Sequence, residues 1–266
     1  MDPTPVWPRW RLIATLSAIT AVAVLLLFGL GFAAWTLLAP KLHTKRDMPQ
    51  ASGGVRGEVY RDQVAGEEML QVPASAATAP QVATRIAEPI HVPASTKVGA
   101  VGVASGFPHT PQGAVAQLAA IDVRVIETMS IPIAHQVHQA WTAPGGGPAE
   151  QWSMTRNVAA FLSTVGDQAD AIDDSVSVKA VPAAGLVKAT DGPDWVVGCV
   201  LLDIRATIVT TARIGFGHCE RMVWHHDRWM IAPGAPPAAA PSVWPGSDLA
   251  IEAGYQTWTP TGERDG

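Results

Sequence analysis

Charge is scarce in this chain: only 15% of its 266 residues are Asp, Glu, Lys or Arg, against roughly a quarter in ordinary globular domains. Basic residues are scarcer still, 18 against 23 acidic ones, for a net charge of −5. That balance excludes a nucleic-acid binder relying on a basic face. Two cysteines are too few for a disulfide scaffold or a four-cysteine zinc site. There is no Gly-rich phosphate loop, no G-x-S-x-G and no H-E-x-x-H; the run Gly145–Gly147 has prolines on both sides and reads as a loop. What the chain does have is apolar residues (48%), 24 Gly and 22 Pro.

The apolar residues are concentrated first at the amino end. Leu12–Ala39 holds 28 residues without a charged side chain, and roughly 20 suffice to cross a bilayer as a helix. A cleaved signal peptide has an apolar region of only about 7–15 residues, so the stretch reads as a single uncleaved span. Trp7, Trp10 and Trp35 suit its interfaces. Arg9 and Arg11 before it nearly balance Lys41, Lys45 and Arg46 after it. A cytoplasmic amino terminus is expected because residues 1–11 are too few for a domain, and because Cys199 and Cys219 lie downstream, where an oxidising exterior lets them pair.

Residues 40–109 read as a Pro/Ala/Gly-rich tether, with Pro40, Pro49, Pro73, Pro80, Pro89, Pro93 and Pro108 preventing long helices. Short strands are expected near Val55–Tyr60 and Val98–Val103. Thr110-Pro111 is a helix start, and Ala114, Leu118, Ile121, Val125 and Met129 line one face of the helix that follows. Further helices are expected over about Ile133–Trp141 and Ala149–Val165. The period then changes from 3.6 to 2, with strands near Val176–Val181, Trp195–Ala206, Ala212–Trp224 and Arg228–Ala232. Residues 110–233 thus read as one exported α+β domain, three helices on a curved antiparallel sheet. Residues 234–266 read as a Pro-rich tail with a short helix over Ser247–Trp258.

The closing hairpin Glu220–Ile231 places one aromatic, Trp224, before its turn and another, Trp229, after it. The entry Gly106–Ala114 and the exit Trp229–Gly234 frame the domain. In these features and in the order of its elements the chain resembles the small bitopic assembly component of type IV secretion and conjugation machines. The entry and exit look like those of membrane proteins encoded on actinobacterial conjugative elements. The resemblance covers about residues 106–234 plus the span. It implies a nuclear-transport-factor-2-like (cystatin-like) exported domain that works by binding envelope proteins and copies of itself. It brings no catalytic or ligand motif, no cofactor and no nucleic-acid contact.

Several residues invite chemistry. His135 and His138 lie three apart on a helix but lack a third metal ligand at defined spacing. His225, His226 and Asp227 fall in a hairpin turn, where adjacent side chains diverge. His218 and Cys219 are neighbours in a strand and face opposite sides, which spoils a Cys–His nucleophile. Asp203 and Arg205 share a strand face and read first as a solvent-facing charge pair near a strand end; the other reading is a polar pair on the concave side of the sheet, where an envelope enzyme or small-ligand binder would have its site. That is the alternative to a non-enzymatic assembly component.

The sharpest expectation is a disulfide. A hairpin with its tip near Val209 sets Cys199 opposite Cys219, and with them Ile204 opposite Ile214, Leu202 opposite Phe216, Val200 opposite His218 and Val196 opposite Met222. A one-residue slip would turn that apolar face outward.

Overall fold

The computed structural model describes residues 56–165, 170–207 and 209–261. The leading tail 1–11 and the uncharged run 12–39 lie outside them. Among the described residues no helix is long and apolar enough to cross a membrane.

The chain opens on helix α1 (Glu58–Gly66) and a 3₁₀ turn (Ala74–Ala77). Short strands β1 (Pro89–Val92), β2 (Lys97–Val98) and β3 (Ala104–Ser105) follow. Then come α2 (Pro111–Thr128), α3 (Ile131–Trp141) and α4 (Ser153–Val165). Four strands succeed them: β4 (Ser177–Thr190), β5 (Trp195–Thr207), β6 (Thr211–His225) and β7 (Arg228–Ile231). A one-turn helix α5 (Asp248–Glu252) and strand β8 (Gln256–Pro260) complete the described chain.

Local chemistry sets the helix starts. The Thr110 hydroxyl accepts from the Gly113 amide at 3.1 Å, with Pro111 in the first turn of α2. Ser130 and Ser247 cap α3 and α5 in the same way. His226 and Asp227 both take left-handed backbone angles (φ 48° and 56°), forming the tight turn between β6 and β7.

The expected fold class needs correction. The sheet is a curled, half-barrel sheet of six strands in the order β1-β8-β4-β5-β6-β7, not a four-strand meander. Two of its strands come from segments read as tether and tail. β1 runs parallel to β8, which pairs antiparallel with β4 at Ala184–Thr257 and Gly185–Gln256. The described part of the tether is therefore folded onto the domain, with residues 58–60 in α1 rather than in a strand. The helix expected over Ser247–Trp258 ends at Glu252, and the chain turns through Gly254 (φ +88°) into β8.

These extensions make a third layer. On one face of β5, Val196, Val200, Leu202 and Ile204 pack with α2, α3 and α4 around Leu118, Ile121 and Trp141. On the other face Cys199 and Leu201 pack under Val243, Ala250 and Tyr255 of the C-terminal segment, with Met69 and Leu70 beside them. Trp195 and Val197 pack under Ala65 of α1. The close approach of the C-terminal segment relies on two glycines of β6. A Cβ on Gly215 would collide with the carbonyl of Val243, and one on Gly217 with the carbonyl of Pro241. Gly215→Ala is accordingly expected to displace the C-terminal segment and to destabilise by about 1–3 kcal/mol in denaturant titrations. An unchanged midpoint would mean the segment yields freely.

Both outer edges of the sheet are guarded. Glu88 and Val92 carbonyls accept from the Thr257 and Thr261 amides of the β8 side, so Pro89 and Pro93 fall at outward positions where they offer no N–H. At the other edge the Ala143 amide donates to the Ile231 carbonyl of β7 at 2.8 Å.

The hairpin β5–β6 has the register expected from the sequence, with Cys199 opposite Cys219, Ile204 opposite Ile214 and Leu202 opposite Phe216. The two cysteines form a disulfide.

Candidate functional site

The most polar part of the interior lies between α2, α4 and β6. Asp122 sits on the apolar side of α2 with a fully buried side chain. His218 and Glu220 follow Phe216 on alternate positions of β6, which places them on the helix-facing side. Trp152 and Ser153 start α4.

The contacts converge on one imidazole. His218 Nδ1 is 3.0 Å and 2.9 Å from the two Asp122 carboxylate oxygens. His218 Nε2 is 3.2 Å from Ser153 Oγ and 3.4 Å from Glu220 Oε1. The Trp152 indole N–H donates to the same Glu220 oxygen at 2.8 Å. Burial pushes the Asp122 carboxyl up, with the charge of His218 opposing. Burial alone would drive His218 down, but the charge and hydrogen bond of Asp122, reinforced by Glu220, raise it to about 10. The two carboxylates thus favour the protonated ring, with Nδ1 facing Asp122 and Nε2 facing Ser153 and Glu220.

That preference bears on the chemistry the group can do. Ser153, His218 and Asp122 stand in the order of a nucleophile, a base and an orienting acid. A general base must accept the hydroxyl proton, and Asp122 and Glu220 favour a ring that already holds one. Glu220 on the same nitrogen holds the proton in place. The constellation joins two helices to the sheet as a polar strut.

The residues singled out from sequence are scattered. Asp203 and Arg205 do not line the helix-facing hollow. Asp203 shares the other face with Cys199 and Leu201; its carboxylate meets Arg213 Nε at 2.7 Å and Arg205 at 3.3 Å. The Arg213 guanidinium in turn lies over the Trp244 ring, 4.3 Å from its centre. His138 is buried against Trp152, and burial pushes its ring down while Glu220 pulls it up. His135 lies 3.9 Å from Glu150 across α3 and the 3₁₀ turn Ala149–Gln151. The His225 and His226 rings touch each other, 3.9 Å between centres. Among the described residues no group of three or more His, Cys, Asp or Glu is placed to hold a metal. A shallow groove of about 340 Å³ lies elsewhere, between β1 and the start of α2, with His91, Gln112, Gln256 and Thr261 on its walls.

The Asp122–His218 pair escaped the sequence reading because its members stand 96 residues apart. One signal was present. Asp122 interrupts the stripe Leu118, Ile121, Val125, and His218 and Glu220 interrupt the stripe from Phe216 to Met222; charges inside apolar faces pair with one another.

Comparison with family models, curated proteins and solved structures finds no match to this chain.

Proposed function

We propose that this protein is a non-enzymatic component of a cell-envelope assembly, of the kind that conjugation and type IV secretion machines use, acting by binding other proteins and copies of itself. The observation that carries the reading is that the buried polar group around His218 is paired within itself. His218 spends both nitrogens on Asp122, Glu220 and Ser153, which supports a structural role over a catalytic one. The Cys199–Cys219 bridge supports a domain outside the cytoplasm, where disulfides persist. The uncharged sequence Leu12–Ala39 supports a place at the cell membrane with the amino terminus inside. Guarded sheet edges favour partner contacts through surfaces and loops over strand addition. The test is isolation of the full-length protein from detergent-solubilised host membranes, with bound proteins identified by mass spectrometry. Co-isolation of subunits of a transfer apparatus is expected; recovery of the protein free of any envelope-complex subunit overturns the reading.

The alignment of Ser153, His218 and Asp122 favours a second reading, an envelope enzyme or small-ligand binder. A fluorophosphonate reagent distinguishes the two. Labelling of the folded protein that disappears in Ser153→Ala supports the second reading, whereas the first expects no labelling.

A further inference from the structure

Helix α1 is held in an unusual way. It has nine residues, too few to be stable alone in water. Its only fully buried side chain is Ala65, so apolar burial contributes little. It has no side-chain N-cap of its own. Both of its ends are instead gripped by one hairpin, β4–β5, more than 120 residues further along the chain.

At the leading end, the Asp191 carboxylate, whose side chain is wholly buried, accepts from the Arg56 amide at 2.5 Å, the Gly57 amide at 3.1 Å and the Arg61 guanidinium at 2.6 Å. At the trailing end, Lys188 Nζ donates to the carbonyls of Ala65 (3.2 Å) and Glu67. Between them Asp62 pairs with Arg221 at 2.6 Å. A carboxylate at the amino end and an ammonium at the carboxyl end match the partial charges of a helix dipole. Burial by itself would raise the Asp191 carboxyl, yet the two amides and Arg61 hold it below the usual carboxylate range. Burial pushes the Lys188 amine down, with the charge of Glu67 opposing. Beneath the helix lie Trp195, Val197 and Ala232, which with Ala65 form a small apolar cluster separate from the main core.

We infer that α1 is a charge-latched strap, an element that opens as a unit from the folded domain when either grip of the β4–β5 hairpin is lost, uncovering Trp195, Val197 and Ala232. This inference does not depend on the protein acting in a transfer apparatus.

Hydrogen–deuterium exchange by mass spectrometry on the full-length chain tests it. Asp191→Asn is expected to speed exchange of the amides within Glu58–Gly66 at least tenfold while those of β5 keep their wild-type rates. Lys188→Met removes the other grip without touching Asp191 and is expected to act in the same direction; it serves alone if the first variant fails to fold. Wild-type exchange of α1 in the variants overturns the inference. So does an increase that appears equally in β5, because the strap would then not open separately from the domain.

Discussion

Replacing Asp122 by Asn is expected to cost this domain about 3–5 kcal/mol, the range found when one member of a buried ion pair is removed. The magnitude comes from the group left behind. Without the carboxylate, His218 keeps only Glu220 at 3.4 Å and Ser153 at 3.2 Å in a setting where 8% of its side chain is exposed. It must either stay charged and poorly paired or give up its proton inside the protein. Replacing Asp122 and His218 together by Leu and Met is expected to recover most of the loss, since buried ion pairs exchange for apolar residues at little cost. The double-mutant cycle then isolates the pair. A loss below about 1 kcal/mol for Asp122→Asn would sink the assignment of a structural strut.

The same pair fixes a pH dependence. His218 rises from 6.5 in the unfolded chain to about 10 in the folded one. Its stabilisation is fully present below pH 6.5 and drains away as the pH climbs toward about 10, because the unfolded state sheds the proton first. Urea midpoints of the wild type should fall across that window. The His218→Asn protein should be less stable throughout and flatter between those limits. A wild-type midpoint that holds steady from 6.5 to 10 would mean the ring is not held as an imidazolium.

What could be read from the sequence follows from what each signal encodes. The β5–β6 register was legible because opposed residues must keep one face apolar, which a one-residue slip undoes, and because it sets Cys199 opposite Cys219. The start of α2 was legible because capping is local, as at Thr110. β1 and β8 were not, since each has only four or five residues and they pair across more than 160 positions. Which neighbours the Asp203 face of β5 would meet was not legible, for a more instructive reason. Alternation separated two faces of β5 but did not say which met the helices. Trp195, Val197, Cys199 and Leu201 made the second face apolar as well, and a strand apolar on both faces is one covered on both faces. That pattern pointed to the third layer, which the resemblance to a four-strand meander hid.

The disulfide carries the other large effect. Cys199→Ala with Cys219→Ala is expected to lower stability by roughly 3 kcal/mol, the chain-entropy value for a closed loop of about 20 residues. The bridge joins directly opposed residues of β5 and β6, so losing it leaves the ladder intact and acts mainly on the unfolded chain. It is also shielded. Cys199 is wholly buried and Cys219 nearly so, under Val243 and Tyr255, with the Met69 sulfur 3.6 Å from the sulfur of Cys219. Thiol reductants therefore need the outer layer to open before they can attack, and reduction of the native protein should be slow while reduction in denaturant is fast. Gly215→Ala, by displacing the C-terminal segment, should speed the native reaction without weakening the bond itself. The compartment is tested in the same experiment. Protein taken from its host and alkylated under denaturing, non-reducing conditions should show no free thiol. Two alkylated cysteines would place the domain in a reducing compartment and remove the support that the bridge lends to an exported role.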